Sequence, residues 1–140
     1  LERGELDAVW TVEPWASVLE SKSGAVRFLE DSESLTTLIA TSVSALSKRR
    51  ELLRNFTKAA SELTTWINQN PAKAKELIQA ELEIETTRRL PDEIMERAWN
   101  RIKFSSSLSL PMLEQAASAA HSAGFMKVKP ELSGIVANLD

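Results

Sequence analysis

Residues 4–15 read Gly-Glu-Leu-Asp-Ala-Val-Trp-Thr-Val-Glu-Pro-Trp, and they combine three signals that decide the expected fold. Gly4 suits the left-handed position just past the end of a helix. The run at residues 8–12 predicts a buried strand. Glu13-Pro14 predicts the end of that strand, because proline cannot donate a hydrogen bond to a sheet ladder. A polar strand exit flanked by tryptophans indicates the edge of a ligand cleft.

Two more short strands are predicted, at residues 25–29 and 35–40, the second of them rich in β-branched side chains. From residue 43 onward the apolar spacing changes from two to about 3.6 residues, which predicts helices. The sequence therefore predicts an α/β fold with two or three short strands followed by four or more helices. Three short strands make a poor sheet, and the helix that Gly4 would end lies upstream of Leu1. We therefore expect a fragment that lacks an N-terminal half.

Local signals mark the helix ends in the rest of the chain. Ser47 is predicted to cap a long helix, whose apolar side chains share one face and should meet a core. These side chains are Leu52, Leu53, Phe56, Ala59, Ala60, Leu63, Trp66 and Ile67. Proline is preorganised for the first helical position and opens the later helices; it does so at Pro71, whose helix runs to about Thr86, at Pro91 and at Pro111. A short helix at residues 15–21 is expected to stop at Ser23-Gly24, and the last helix at Gly124.

The composition is that of an ordinary globular protein, with 43% apolar and 26% charged residues. A net charge of -3 provides no basic surface for nucleic acid or an anionic membrane. No apolar run approaches the roughly 20 residues that span a bilayer, so no direct membrane insertion is expected. The absence of cysteine excludes disulfide scaffolds and thiolate sites. His121 has no partner at metal-ligand or general-base spacing, so neither a metal, nor a cofactor, nor a catalytic residue is predicted.

Short motifs follow one another along nearly the whole chain in a recognisable order. They are Gly4 to Ala8, Trp66-Ile67 with Asn70-Pro71, Leu90-Pro91 with Glu93 and Ala98-Trp99, Gly124-Phe125, and Lys129 to Gly134. In order and spacing they resemble the C-terminal portion of the solute-binding proteins of ABC importers for nitrate, sulfonates and taurine. That family is related to the thiamin-pyrimidine-precursor proteins.

The resemblance implies the C-terminal part of a type II periplasmic-binding-protein-like fold, in which two α/β lobes hold a ligand between them. Residues 1–34 would then end the second lobe, and residues 35–140 would supply a crossover strand and the helices that complete the first lobe. It also implies a non-enzymatic receptor for a small anionic or zwitterionic solute, such as nitrate, a sulfonate or taurine. The implied partner is the membrane permease of an ABC transporter, and the implied location is the periplasm or, with a lipid anchor, the extracellular face.

Two alternatives stay open. One is a protein of the same fold that binds or synthesises the thiamin pyrimidine precursor, although the chain offers no histidine and cysteine constellation for such chemistry. The other is a helical module for protein–protein interaction.

Five residues are candidates for ligand binding. Glu13 would accept a hydrogen bond from a ligand amine or orient a neighbouring donor, or else cap the helical turn that follows. Trp10 and Trp15 would form an apolar wall, although Trp10 suits a core equally well. The hydroxyls of Thr36 and Thr37 would donate to an anionic oxygen, and the competing interpretation is simple β-propensity.

Overall fold

Six α-helices make up all the regular secondary structure in the computed structural model, which describes residues 3–31 and 35–139. In chain order they are α1 (Trp15–Ser23), α2 (Val43–Lys48), α3 (Arg50–Gln69), α4 (Pro71–Thr86), α5 (Asp92–Trp99) and α6 (Leu110–Ser122). None of these helices is both long and apolar enough to cross a membrane.

The predicted α/β class is wrong, because the described part of the chain forms no strand. Residues 8–12, 25–29 and 35–40 are all irregular. A β-branched or aromatic segment becomes a strand only when a neighbour supplies the other half of a ladder. No described residue does so for these segments. Most of their apolar side chains are exposed, with Val26 at 83% and Phe28 at 82%.

Local signals located the helix ends better than they located strands. The prediction for Pro71–Thr86 is confirmed. Gly24 caps α1 in the left-handed conformation with φ of 61°, as the Ser23-Gly24 stop predicted. The prediction for Ser47 is wrong, because this residue lies inside α2. Ser42 is the capping serine, and its hydroxyl accepts a hydrogen bond from the Ala45 amide at 3.1 Å.

The chain divides into two compact units. The first comprises Leu1–Ser32 and Thr65–Phe104, and the second comprises Glu33–Thr64 and Ser105–Asp140. The domain boundary predicted between residues 34 and 35 falls partly outside the described residues.

All the buried side chains of the described residues lie in the first unit, where α5 packs against α1 and α4. The apolar ones are Ala74, Leu90, Ile94, Met95 and Ala98. The buried amide of Gln79 is fully engaged, since Nε2 donates to the Leu90 carbonyl at 2.5 Å and Oε1 accepts from Arg89 at 3.0 Å. A polar core residue is tolerated here because it is paired.

The second unit holds its C-terminal segment against α3 through arginine side chains. Arg50 Nη2 donates to the Asn138 carbonyl at 2.8 Å, and Arg54 Nε donates to the Leu139 carbonyl at 2.7 Å. The apolar face of α3 does not meet a core as predicted, because Leu52, Phe56 and Leu63 are 60%, 55% and 57% exposed. No described element covers this stripe.

Candidate functional site

The segment that opens α1 is organised around the carboxylate of Glu13. The Val12 carbonyl accepts from the Ala16 amide at 3.2 Å, which begins the helical turn. Glu13 Oε2 accepts from the Ser17 amide at 3.1 Å. This is the capping interaction considered for Glu13 in the sequence, and it satisfies one of the amides that every helix start leaves unpaired.

The other oxygen of Glu13 meets an arginine from the far end of the first unit. Arg101, in the turn after α5, donates from Nη1 to Glu13 Oε1 at 2.9 Å. The same guanidinium donates from Nη1 to Glu20 Oε1 at 3.2 Å and from Nη2 to Glu20 Oε2 at 3.0 Å. Its Nη1 also lies 3.3 Å from the Ser17 hydroxyl. We call Glu13, Ser17, Glu20 and Arg101 the α1 cluster.

The α1 cluster is largely withdrawn from water. The exposed fractions of the side chains are 11% for Glu13, 16% for Glu20 and 19% for Arg101, and Ser17 is completely buried. Ion pairs in such a place are screened less than surface pairs, and removing one partner leaves a charge without compensation. Every buried polar side-chain atom in the described residues has a partner, so the cluster is complete as it stands.

The proximity of opposite charges changes the proton affinity of both partners. The hydrogen bond from Arg101 lowers the pKa of Glu20 below its ordinary value of 4.5, and this outweighs the opposing effect of burial. Burial disfavours the charge on Arg101, but the hydrogen bonds to Glu20 and Glu13 outweigh it, so the pKa of Arg101 is raised. Both groups are therefore held in their charged forms.

Two more arginines lie at the outer side of Glu20. Arg27 Nε is 3.8 Å and Arg97 Nη1 is 3.5 Å from the Glu20 carboxylate. Arg27 also pairs with Glu30 at 2.7 Å. These arginine side chains are about two-fifths exposed, at 39% and 43%, and exposed pairs contribute little to stability. They add positive potential around Glu20 rather than binding energy.

The remaining candidate residues lie outside the α1 cluster. Trp10 is 67% and Trp15 is 44% exposed, so both offer ring surface close in sequence to Glu13. Thr36 and Thr37 are exposed and belong to the second unit. His121 is exposed in α6. Within residues 3–31 and 35–139, no group of three or more acidic, histidine or cysteine side chains is placed to hold a metal.

Sequence reasoning missed three of the four cluster members. Ser17 and Glu20 follow Glu13 at four and seven residues, which is the spacing of one helical face, and that spacing was the available signal. Arg101 is 88 positions from Glu13 and 81 from Glu20, and no local pattern connects them.

A model of the NMT1-like family matches residues 1–82, which is more than half of the chain. Its members are solute-binding, periplasmic-binding-like proteins and mostly not enzymes. This chain belongs to the NMT1-like family. The match includes Glu13, Ser17 and Glu20, and it ends before Arg101. No curated protein and no solved structure gives a significant match.

Proposed function

We propose that this chain is part of the solute-binding component of an ABC importer that captures a small oxyanion or organosulfonate, such as nitrate, a sulfonate or taurine. The observation that carries the proposal is the NMT1-like match over residues 1–82. The solute is captured without chemical change, by closure of two lobes around it. Such closure is a hinge motion that the ligand favours only as far as it binds the closed state better.

The large exposed surface supports the proposal that this chain is one part of a larger protein. The chain exposes 10986 Å², whereas two separate folded units of half its mass would expose about 8,700 Å² in total. The difference includes large apolar side chains, among them Phe28 at 82% and Val26 at 83% exposure. Exposure of several large apolar side chains supports an interaction surface in the first unit. In the complete receptor, other parts of the protein cover it.

The proposed ligand contacts are Trp10 and Trp15, whose rings offer a rigid apolar wall, and the hydroxyls of Thr36 and Thr37. Both carboxylate oxygens of Glu13 are engaged by protein donors. We propose that Glu13 orients the segment through these two contacts, and that its remaining lone pairs accept a hydrogen bond from a ligand amine. The proposed partner is a membrane permease, and the proposed location is the periplasm or a lipid-anchored position outside the cell.

Isothermal titration of the full-length protein tests this function. Nitrate and taurine are the probes, and ethanolamine is the matched control, since it keeps the amine of taurine and lacks the sulfonate. We expect saturable one-to-one binding of nitrate or taurine and none of ethanolamine. Absence of binding for nitrate, taurine, methanesulfonate and sulfate alike would exclude the proposed solute class.

The exposed face of α3 favours a second candidate, a helical interaction module. Leu52, Phe56 and Leu63 in the second unit are spaced by four, three and four residues once Ala59 is included, which is the spacing of the contact face in paired helices. Thermal unfolding of the 140-residue chain beside the full-length protein separates the two cases. An independent module unfolds at the same temperature in both, whereas a part of a receptor melts earlier when it is alone.

A further inference from the structure

We infer that Arg101 is a positioning residue for Trp15, one of the proposed ligand contacts. It acts by fixing the rotation of α1 about its axis through Glu13 and Glu20. The inference rests on the proposed function for the role of Trp15, and on the geometry of the α1 cluster for the role of Arg101. It assigns a functional part to a residue outside the segment that the family model matches.

The first step is the shape of the interaction. Arg101 presents two parallel donors to the two oxygens of Glu20, at 3.2 and 3.0 Å, and the same Nη1 reaches Glu13 at 2.9 Å. Only a planar guanidinium makes this fork and still bonds a second carboxylate, because a lysine ammonium is a single point of charge. The lock therefore depends on the geometry of arginine as well as on its charge.

The second step is the placement of the anchored residues on α1. Ser17 and Glu20 lie on one face of the helix, and Glu13 lies just before its first turn. Trp15 lies about 170° around the helix from the midpoint of Ser17 and Glu20, at 3.6 residues per turn. Holding one face against Arg101 therefore fixes the opposite face, and Trp15 is directed outward with 44% of its surface exposed.

The third step is that little else fixes the rotation of α1. Ser17 is its only buried residue, and its large apolar side chains Trp15, Val18 and Leu19 are exposed or only half-buried. A helix of nine residues is marginal by itself. The polar cluster, together with the close packing of Ser17, therefore sets which side of α1 faces outward.

Fluorine NMR of the chain labelled with 5-fluorotryptophan tests the inference, because each of the four tryptophans gives its own resonance once assigned by tryptophan-to-phenylalanine variants. In Arg101→Met we expect the Trp15 resonance to broaden or move at least halfway to the position of the denatured chain. The Trp66 resonance should stay in place. Arg88→Met, which alters an exposed arginine of the same unit, should move no resonance.

Conservative variants separate positioning from a general loss of folding. Arg101→Lys keeps the charge and loses the fork, so we expect an intermediate shift of Trp15 with an unchanged Trp66. If Arg101→Met shifts all four resonances, the first unit has lost its fold in that variant. The Trp15 resonance of Arg101→Lys, which keeps the charge, then tests the positioning role. A Trp15 resonance that stays within its wild-type line width in both variants would overturn the inference.

Solute binding provides a second measurement, which tests the proposed function as well as the role of Arg101. In full-length protein that binds nitrate or taurine, Arg101→Met should weaken binding several-fold, and Arg88→Met should leave it unchanged. Failure of the wild-type protein to bind any probe would count against the proposed function, while the fluorine result would still decide the role of Arg101 in holding Trp15.

Discussion

Arg101 donates two parallel hydrogen bonds to Glu20, and the two residues lie 81 positions apart in the chain. This pair joins α1 to the turn after α5, and it brings Glu13 and Ser17 into the same cluster. The first unit has few buried apolar side chains. The partly buried, fully paired polar cluster therefore does much to determine how α1 packs in this unit.

Removing one partner of the cluster should destabilise the first unit. Arg101→Met leaves Glu13 and Glu20 with much of their charge uncompensated in a place that water reaches poorly. We expect a loss of about 2 kcal/mol, between the values for exposed and for fully buried pairs. Urea unfolding followed by circular dichroism measures it, with Arg88→Met as the control. Equal stability of the two variants would show that the cluster contributes nothing.

The stability of the fold should depend on pH through Glu20. Because Arg101 lowers the pKa of Glu20 in the folded chain, this carboxylate stabilises the fold above its ordinary pKa of 4.5. That contribution is lost as the pH falls through the lower folded pKa, since the proton then binds the folded chain as well. Urea midpoints measured from pH 7 to pH 3 should decline in the wild type and decline less in Glu20→Gln. Parallel profiles would contradict the assignment.

Gly24 should resist replacement for a backbone reason alone. It ends α1 with φ of 61°, and a Cβ placed there would meet no atom within 4 Å. Gly24→Ala should therefore cost about 1 kcal/mol through the left-handed conformation. Gly24→Asn should cost less, because asparagine tolerates this region better. Thermal unfolding of both variants should give the lower melting temperature for Gly24→Ala. An alanine variant as stable as the wild type would contradict the role of the left-handed conformation.

Ser17 should tolerate removal of its hydroxyl better than an increase in size. Its side chain is fully buried where α1 packs against α5. Ser17→Ala loses only the contact with Arg101 at 3.3 Å, and about 1 kcal/mol is expected. Ser17→Leu forces the two helices apart, and overpacking costs about 1–3 kcal/mol. Chemical unfolding of the two variants compares them, and a leucine variant at least as stable as the alanine variant would contradict this packing.

The sequence predicted those parts of the fold that short-range signals control. Pro71 opened a helix because its ring suits the first helical position, and Gly24 ended one because it lacks a Cβ. The strand prediction at residues 25–29 failed because a strand needs a partner, and side-chain propensity does not say whether one is present. In the same way, Glu13 was identified from the segment that contains it. Arg101 was not, because the contact that gives it meaning spans 88 positions.

Small-angle X-ray scattering of the full-length protein, with and without saturating nitrate or taurine, tests the central claim most directly. If the protein captures its solute by closing two lobes, the radius of gyration should fall when the solute that binds is added, and ethanolamine should leave it unchanged. An unchanged radius at saturation with that solute would contradict capture by closure.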